Sequence, residues 1–311
     1  RVPLYERLKF LAIFSSNLDE FYRVRVASYR SLRQLKKKER VLLDVDVKPN
    51  RRLKQIKQSV GLLQDQYGHD FRHQILPTLE KEGVRLLQYE DLQGPFYDPA
   101  MAHYKQVIAG NIELFPLVND SFLENHRIYM TGRIDDELHL LSWSRELPRF
   151  VVLQDHQSGC EVAFIDDIVR LGQMKESTKW YAIKLSRDAE LFVEEEQGRS
   201  WAEKVKASLA NRDIGLPARL LYDQEMPPKW LKVIRKILGL SKYDLIPGAR
   251  YHHFSDFFQF PIPDQSAHLV DPGHPPLDHS ELRHAERIWD LVEKKDQLLH
   301  FPYQRFDYLL Q

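Results

Sequence analysis

The chain has 311 residues, 43% of them hydrophobic and 29% charged, an ordinary globular balance with room for two domains. Its 45 Lys and Arg match its 45 Asp and Glu, so no basic excess argues for nucleic acid or an anionic membrane, and a polyanionic partner would need a local positive channel. The single cysteine, Cys160, excludes an internal disulfide and favours a reducing compartment, no apolar run reaches the ~18–20 residues of a membrane helix, and a signal-peptide pattern is absent.

The chain starts at Arg1 without a methionine and is expected to begin inside a longer protein. Residues 1–83 read as helical. Leu8, Leu11, Ile13 and Phe14 form the apolar face of a first helix. Ser15, Ser16 and Asn17 are expected to break it and to cap a second helix through Phe21, Val24 and Ala27, with Ser16/Asp19 or Asn17/Glu20 resembling a capping box. The charged run of residues 36–40 reads as a solvated helix end, and Lys48, Pro49 and Asn50 as a turn. A long helix over residues 51–81 follows, with Leu53, Ile56, Val60, Leu63, Tyr67, Phe71 and Leu76 on one face and Gly83 as its stop. Gly61 and Gly68 weaken this helix, so packing must hold it.

From Val84 the texture becomes mixed. A helix is expected over 100–111 and strands over 126–131, 138–142, 150–154 and 161–165. Another strand covers 180–185, where Tyr181, Ile183 and Leu185 alternate with Ala182 and Lys184. Residues 201–210 read as helix, 218–222 as extended, and 229–238 as an amphipathic helix stopped by Gly239. The Pro-, His-, Asp- and Gly-rich stretch 261–278 reads as a linker or a long loop. Ser280 is then expected to cap a helix carrying Leu282, Ala285, Ile288, Trp289 and Val292, and 298–301 to start a strand. The fold class is α+β: an all-helical N-terminal domain (1–83), a mixed α/β head domain (84–278), and the first elements of another domain (279–311).

Residues 7–30, RLKFLAIFSSNLDEFYRVRVASYR, carry the most information. A polar break between two helices would expose backbone N–H groups able to hold an anion. The Asn17 amide both donates and accepts, which suits a base, a ribose or a phosphate oxygen, and equally a plain N-cap. Arg187 and Asp188 read as a strand-end ion pair or cap, or as a phosphate contact. Arg250, Tyr251 and His252 suit either a polyanion or docking within the protein. His252 and His253 do not form a metal site, because adjacent positions rarely face one ion. His274, His279 and His284 read as loop and surface residues. There is no GxxxxGK[ST] loop.

The 7–30 segment resembles the N-terminal signature of bacterial polyphosphate kinases of the histidine-phosphorylated class. Other segments resemble the same family in chain order. They are IKLSRDAEL (183–191), Asp223 to Pro227, and Tyr243-Asp244 with Pro247-Gly248. RYHHF (250–254) with Asp256-Phe257, and LLHFPYQRF (298–306), complete the series. Ala249 stands where the family frequently has glycine, and His253 where it frequently has asparagine.

The resemblance implies reversible transfer of the terminal phosphate of ATP to inorganic polyphosphate through a phosphohistidine. That histidine, in a His-x-Lys context of phospholipase-D-like domains, is expected beyond Gln311, so no catalytic residue and no metal ligand is expected in this chain. Asn17 matches the family's ATP-contacting asparagine. Residues 1–83 would cover the nucleotide, 84–278 would support a homodimer or higher oligomer, and 279–311 would open the first catalytic domain. Mg2+ would be bound by the other half. Partners would be ATP, ADP and polyphosphate, without nucleic acid, in the cytoplasm or at the inner face of the membrane with peripheral association. The chain alone is expected to be inactive. The alternative is a non-catalytic nucleotide- or polyphosphate-binding or assembly module.

Overall fold

A computed structural model describes residues 2–34, 48–156, 159–173, 178–188 and 215–310. The expected helix over 201–210, the basic run at 36–40 and residues 189–191 of the IKLSRDAEL segment lie outside the described residues. The chain divides into two compact units, Arg1–Leu269 and Val270–Gln311.

The first unit opens with helix α1 (Leu4–Glu20), which continues through a π-helical turn (Phe21–Val26) into α2 (Ala27–Gln34). The expected break at Ser15, Ser16 and Asn17 is not there. The carbonyls of Asn17 and Leu18 accept the N–H of Phe21, so helical hydrogen bonding runs through the polar triplet, and no helix N-terminus is available there for an anion. Three consecutive polar residues disfavour a helix only weakly. Packing decides the matter, with Leu8, Ala12, Asp19 and Tyr22 buried along one side.

Helix α3 (Pro49–Asp70), a π turn (Phe71–Ile75) and α4 (Leu76–Lys81) together form the expected long helix. Pro49 starts it at a position where its missing N–H costs nothing, and Gly83 ends it with φ 81°. Leu53, Val60 and Phe71 are buried as expected, whereas Leu63 is exposed. The domain junction expected at residue 83 is this Gly83 turn, inside the first unit.

The mixed region builds two sheets. Strand β1 (Val84–Leu87) pairs in parallel with β6 (Gly159–Phe164), which pairs antiparallel with β5 (Phe150–His156). The six-stranded sheet is formed by β2 (Ile112–Pro116), β3 (Ile128–Ile134), β4 (Glu137–Trp143), β7 (Tyr181–Arg187), β8 (Pro217–Asp223) and β9 (Leu245–Gly248). Its order is β2-β4-β3-β7-β8-β9. Pro116, which cannot donate to a ladder, lies on the edge strand β2. Alternation sorts the side chains. Met130 and Leu141 face a core shared with α5 (Tyr97–His103) and α6 (Ile165–Gly172). Tyr129, Leu140, Ile183, Leu185 and Leu220 face a core closed by α7 (Pro228–Ile237). Gly239 ends α7 with φ 63°.

The helical segment is fixed to this sheet. Tyr22, Val26, Leu53 and Val60 share a buried cluster with Ile246 of β9. Arg30 binds Asp244 through two nitrogens, at 2.8 and 3.3 Å, and Lys57 donates to the Leu245 carbonyl at 2.7 Å.

In the second unit the helix expected after Ser280 is reduced to a 3-10 turn (Leu282–His284) and α8 (Ile288–Val292). Ala285 is extended, and Trp289 and Val292 are exposed. Leu282 is buried, but Trp289 and Val292 stay exposed, and propensity alone does not hold a helix whose apolar face is only partly packed. Residues 298–301 are not a strand; one isolated bridge joins Leu277 and Gln304.

Candidate functional site

Helix α1 offers two different faces. On one, Phe10, Ile13, Asn17 and Phe21 follow one another at helical spacing and all are exposed. Asn17 therefore sits in an exposed apolar stripe. On another face Phe14, Ser15, Leu18 and Asp19 line a cleft of about 1530 Å³ between the helical segment and the sheet. Asn17 does not line it.

The floor of the cleft comes from strand alternation. Ile183 and Leu185 turn to the α7 core, so Lys184 turns to the other side. Leu220 does the same for Arg219 on β8. Lys184 pairs with Leu221 and Arg219 with Ser186, which makes Lys184 and Arg219 diagonal neighbours on one face. Both are almost wholly buried at 2% exposure. Asp19 of α1 neutralises them: one carboxylate oxygen contacts the Lys184 ammonium directly, and the other accepts from Arg219 Nη1 at 2.8 Å. The Arg219 guanidinium lies over the Tyr22 ring at 4.5 Å.

Two histidines complete this hub. His126 Nδ1 and His253 Nδ1 are each 3.8 Å from Asp19 Oδ2. Both have left-handed backbones, φ 59° and 61°. Asparagine, the residue frequent at position 253 in the resembled family, is among the few that tolerate this conformation. Burial pushes the Asp19 carboxyl up, but Lys184, the two histidines and Arg219 outweigh it and hold the group well below the usual carboxylate range. Burial pulls Lys184 down, with Asp19 opposing. Burial takes His252 to about 3 and lowers His253 as well.

Asp19, His126 and His253 bring three metal-competent atoms within 4.8 Å of one another. They do not fit magnesium, which demands oxygen ligands. Both Asp19 oxygens are already occupied by cations, so a further positive ion would meet Lys184 and Arg219.

Arg250, Tyr251 and His252 dock within the protein. Arg250 pairs with Glu90 at 2.9 Å, Tyr251 donates to Asp167 at 2.6 Å and stacks on Phe164, and the His252 carbonyl accepts from Arg149 at 3.1 Å. Arg187 is a structural staple: its side chain donates to the carbonyls of Leu123 at 2.8 Å and Gly215 at 2.9 Å. Yet the cleft as a whole is positive, with seven Lys and Arg against four Asp and Glu in its lining. A neutral chain thus carries the local basic surface that an anionic ligand requires. Sequence reading missed Lys184, Arg219 and Asp19 as a group. The available signal was Ala182, an apolar residue sharing with Lys184 the strand face opposite Ile183 and Leu185.

The family description "Polyphosphate kinase N-terminal domain" matches residues 1–87, and "Polyphosphate kinase middle domain" matches residues 112–260. The polyphosphate kinase of Vibrio cholerae is 30% identical over 334 residues, covering 100% of this chain and 46% of that protein. That of Escherichia coli K12 is 29% identical, covering 99% and 47%. The crystal structure of polyphosphate kinase from Porphyromonas gingivalis aligns with 99% of this chain and 45% of its own, at 27% identity and a TM-score of 0.73. The chain thus spans about half the length of the curated relatives it matches. On these matches, which follow the helical segment and then the mixed sheets, the chain belongs to the polyphosphate kinase family.

Proposed function

We propose that this chain works as the nucleotide-covering and assembly part of an enzyme that reversibly transfers the terminal phosphate of ATP to inorganic polyphosphate. The observation that carries this reading is the matching of both family domains, in order, over residues 1–87 and 112–260. The phosphohistidine that would act as covalent nucleophile is assigned to the part of the enzyme beyond residue 311, and so is the magnesium. Within this chain Asn17 is assigned as an ATP contact. Exposed Phe10 and Phe21 on its own face of α1 offer flat surfaces beside an amide that can both donate and accept.

The mixed region is assigned to homodimer or higher assembly, in the cytoplasm or at the inner face of the membrane. Among the described residues no helix is long and apolar enough to cross a membrane. A second reading, a binding or assembly module without catalysis, is favoured for the chain by itself, because it spans only 46% of a relative's length.

One hydrogen bond contributes about 0.5–1.5 kcal/mol net. Asn17→Ala in the longest product of the gene should therefore raise the ATP concentration needed for half-maximal rate by roughly 2- to 12-fold, with the maximal rate little changed. Unchanged ATP dependence removes Asn17 from the site.

A further inference from the structure

On α3 and the turn that follows it, Lys54, Gln58, Gly61, Asp65, Gly68 and Arg72 recur at steps of four and three, and all line the cleft. They form one helix face. Two glycines inside a 22-residue helix lower its stability, and here they keep that face low. A Cβ built on Gly61 would meet nothing within 4 Å. The middle of the cleft is open.

Its two ends differ in chemistry. At one end stand Lys54, Lys57 and Lys242. Lys57 reaches the carbonyls of Lys242 and Leu245, at 3.4 and 2.7 Å, which places Lys242 opposite α3. At the other end Phe14 stacks on Tyr67 with centroids 5.3 Å apart, and Phe254 meets both Tyr67 and Phe71 edge-on at 5.1 Å. Lys57 and Tyr67 are ten residues apart on one helix, so the ends are separated by about 15 Å.

Polar groups without partners accompany this arrangement. His252 and Arg219, each 2% exposed, line the cleft. Among the described residues His252 Nδ1, Arg219 Nε and the Tyr67 hydroxyl make no hydrogen bond, although buried polar atoms are ordinarily paired. The His252 Nε2–H donates to the Ala182 carbonyl at 3.0 Å, which leaves Nδ1 as an acceptor.

We infer that this cleft is a nucleotide-binding site, on a different face of α1 from Asn17, with phosphates at the Lys54–Lys57–Lys242 end and the base at the Phe14–Tyr67–Phe254 end. A purely inorganic polyanion would use the cations and waste the aromatic wall. An uncharged ring compound would do the reverse. A nucleotide uses both, through stacking and charge-assisted hydrogen bonds. The inference stands apart from the phosphate-transfer reading, because it requires only binding.

The test is calorimetric titration of the 311-residue chain with ATP, adenosine and inorganic tripolyphosphate. ATP should bind at least about tenfold more tightly than either fragment, and Lys54→Glu should weaken it by about tenfold or more, the loss expected for one charge-assisted hydrogen bond. Gly61→Leu, which fills the open middle, should abolish binding while circular dichroism shows an intact fold. Lys54→Glu, an exposed position, carries the test if Gly61→Leu fails to fold. The inference is overturned if ATP does not saturate the chain, or if tripolyphosphate binds as tightly as ATP. Loss of binding in Asn17→Ala with retention in Lys54→Glu would also overturn it.

Discussion

Removing the Asp19 carboxylate should be among the most damaging single changes in the first unit. Asp19 is 4% exposed and holds Lys184 and Arg219, each 2% exposed. Asp19→Asn keeps the shape and deletes the charge, leaving two buried cations against a neutral amide. At an effective dielectric of ~20 a unit pair at ~4 Å is worth about 4 kcal/mol, and breaking a buried pair by removing one partner costs about 3–5 kcal/mol. That range is the expected loss in urea unfolding, read on the transition of the first unit. Lys184→Met should cost less, because Asp19 keeps Arg219. In the double variant one stranded cation is gone, so the losses should fall short of additivity by about 1–3 kcal/mol. A loss below about 1 kcal/mol for Asp19→Asn, or additive losses in the double variant, would refute the idea that α1 is anchored electrostatically to the sheet.

Two further expectations follow from burial. His252 is neutral in the folded chain, at about 3 against a usual 6.5. The unfolded chain binds its proton first, so stability is lost as pH falls through 6.5 and on towards 3. Between pH 8 and pH 5 the loss is about 2 kcal/mol. Asp167, raised to about 6 by burial, takes up a proton in the folded chain first and works in the opposite direction. The His252 contribution is therefore measured as the difference between the unaltered chain and His252→Gln across that window, and equal pH slopes would contradict it. The Cys160 thiol is buried and pushed up to about 11 by that burial. It should resist Ellman's reagent at pH 8 until urea unfolds the chain, and prompt labelling of the native protein would contradict the placement of β6.

Long periodic elements were legible in the sequence. The helix over 51–81, the alternation of Tyr181, Ile183 and Leu185, and the Gly83 and Gly239 stops all appear in the structure, because each rests on a local pattern that packing does not reverse. The Ser15–Ser16–Asn17 break was misread because its polarity is local, whereas the burial of Asp19 by strands 165 and 200 residues away is not. The helix over 165–172 was hidden for a related reason. The expected strand ended at Ile165, the β-branched Ile168 and Val169 beyond it give no local helix signal, and only tertiary burial makes the segment a helix. At the candidate site the sequence offered Asn17, which lies on an exposed face. The cleft itself joins Phe14, Ser15, Leu18 and Asp19 of α1 to residues of α3, to Lys184 and Arg219 of the sheet and to residues between 242 and 254, and no spacing along the chain announces that convergence. Lys184 looked like the solvent half of an alternating strand, yet it is buried because α1 covers that face.

The central claim is that this chain is the nucleotide-covering and assembly part of a phosphate-transferring enzyme. Terminally labelled ATP with magnesium, given in parallel to this chain and to the longest product of its gene, tests it most directly. Labelled polyphosphate and an acid-labile phosphoprotein should appear with the longer protein and not with the chain alone. A longer protein that transfers no label would contradict the claim and leave the chain as a binding module.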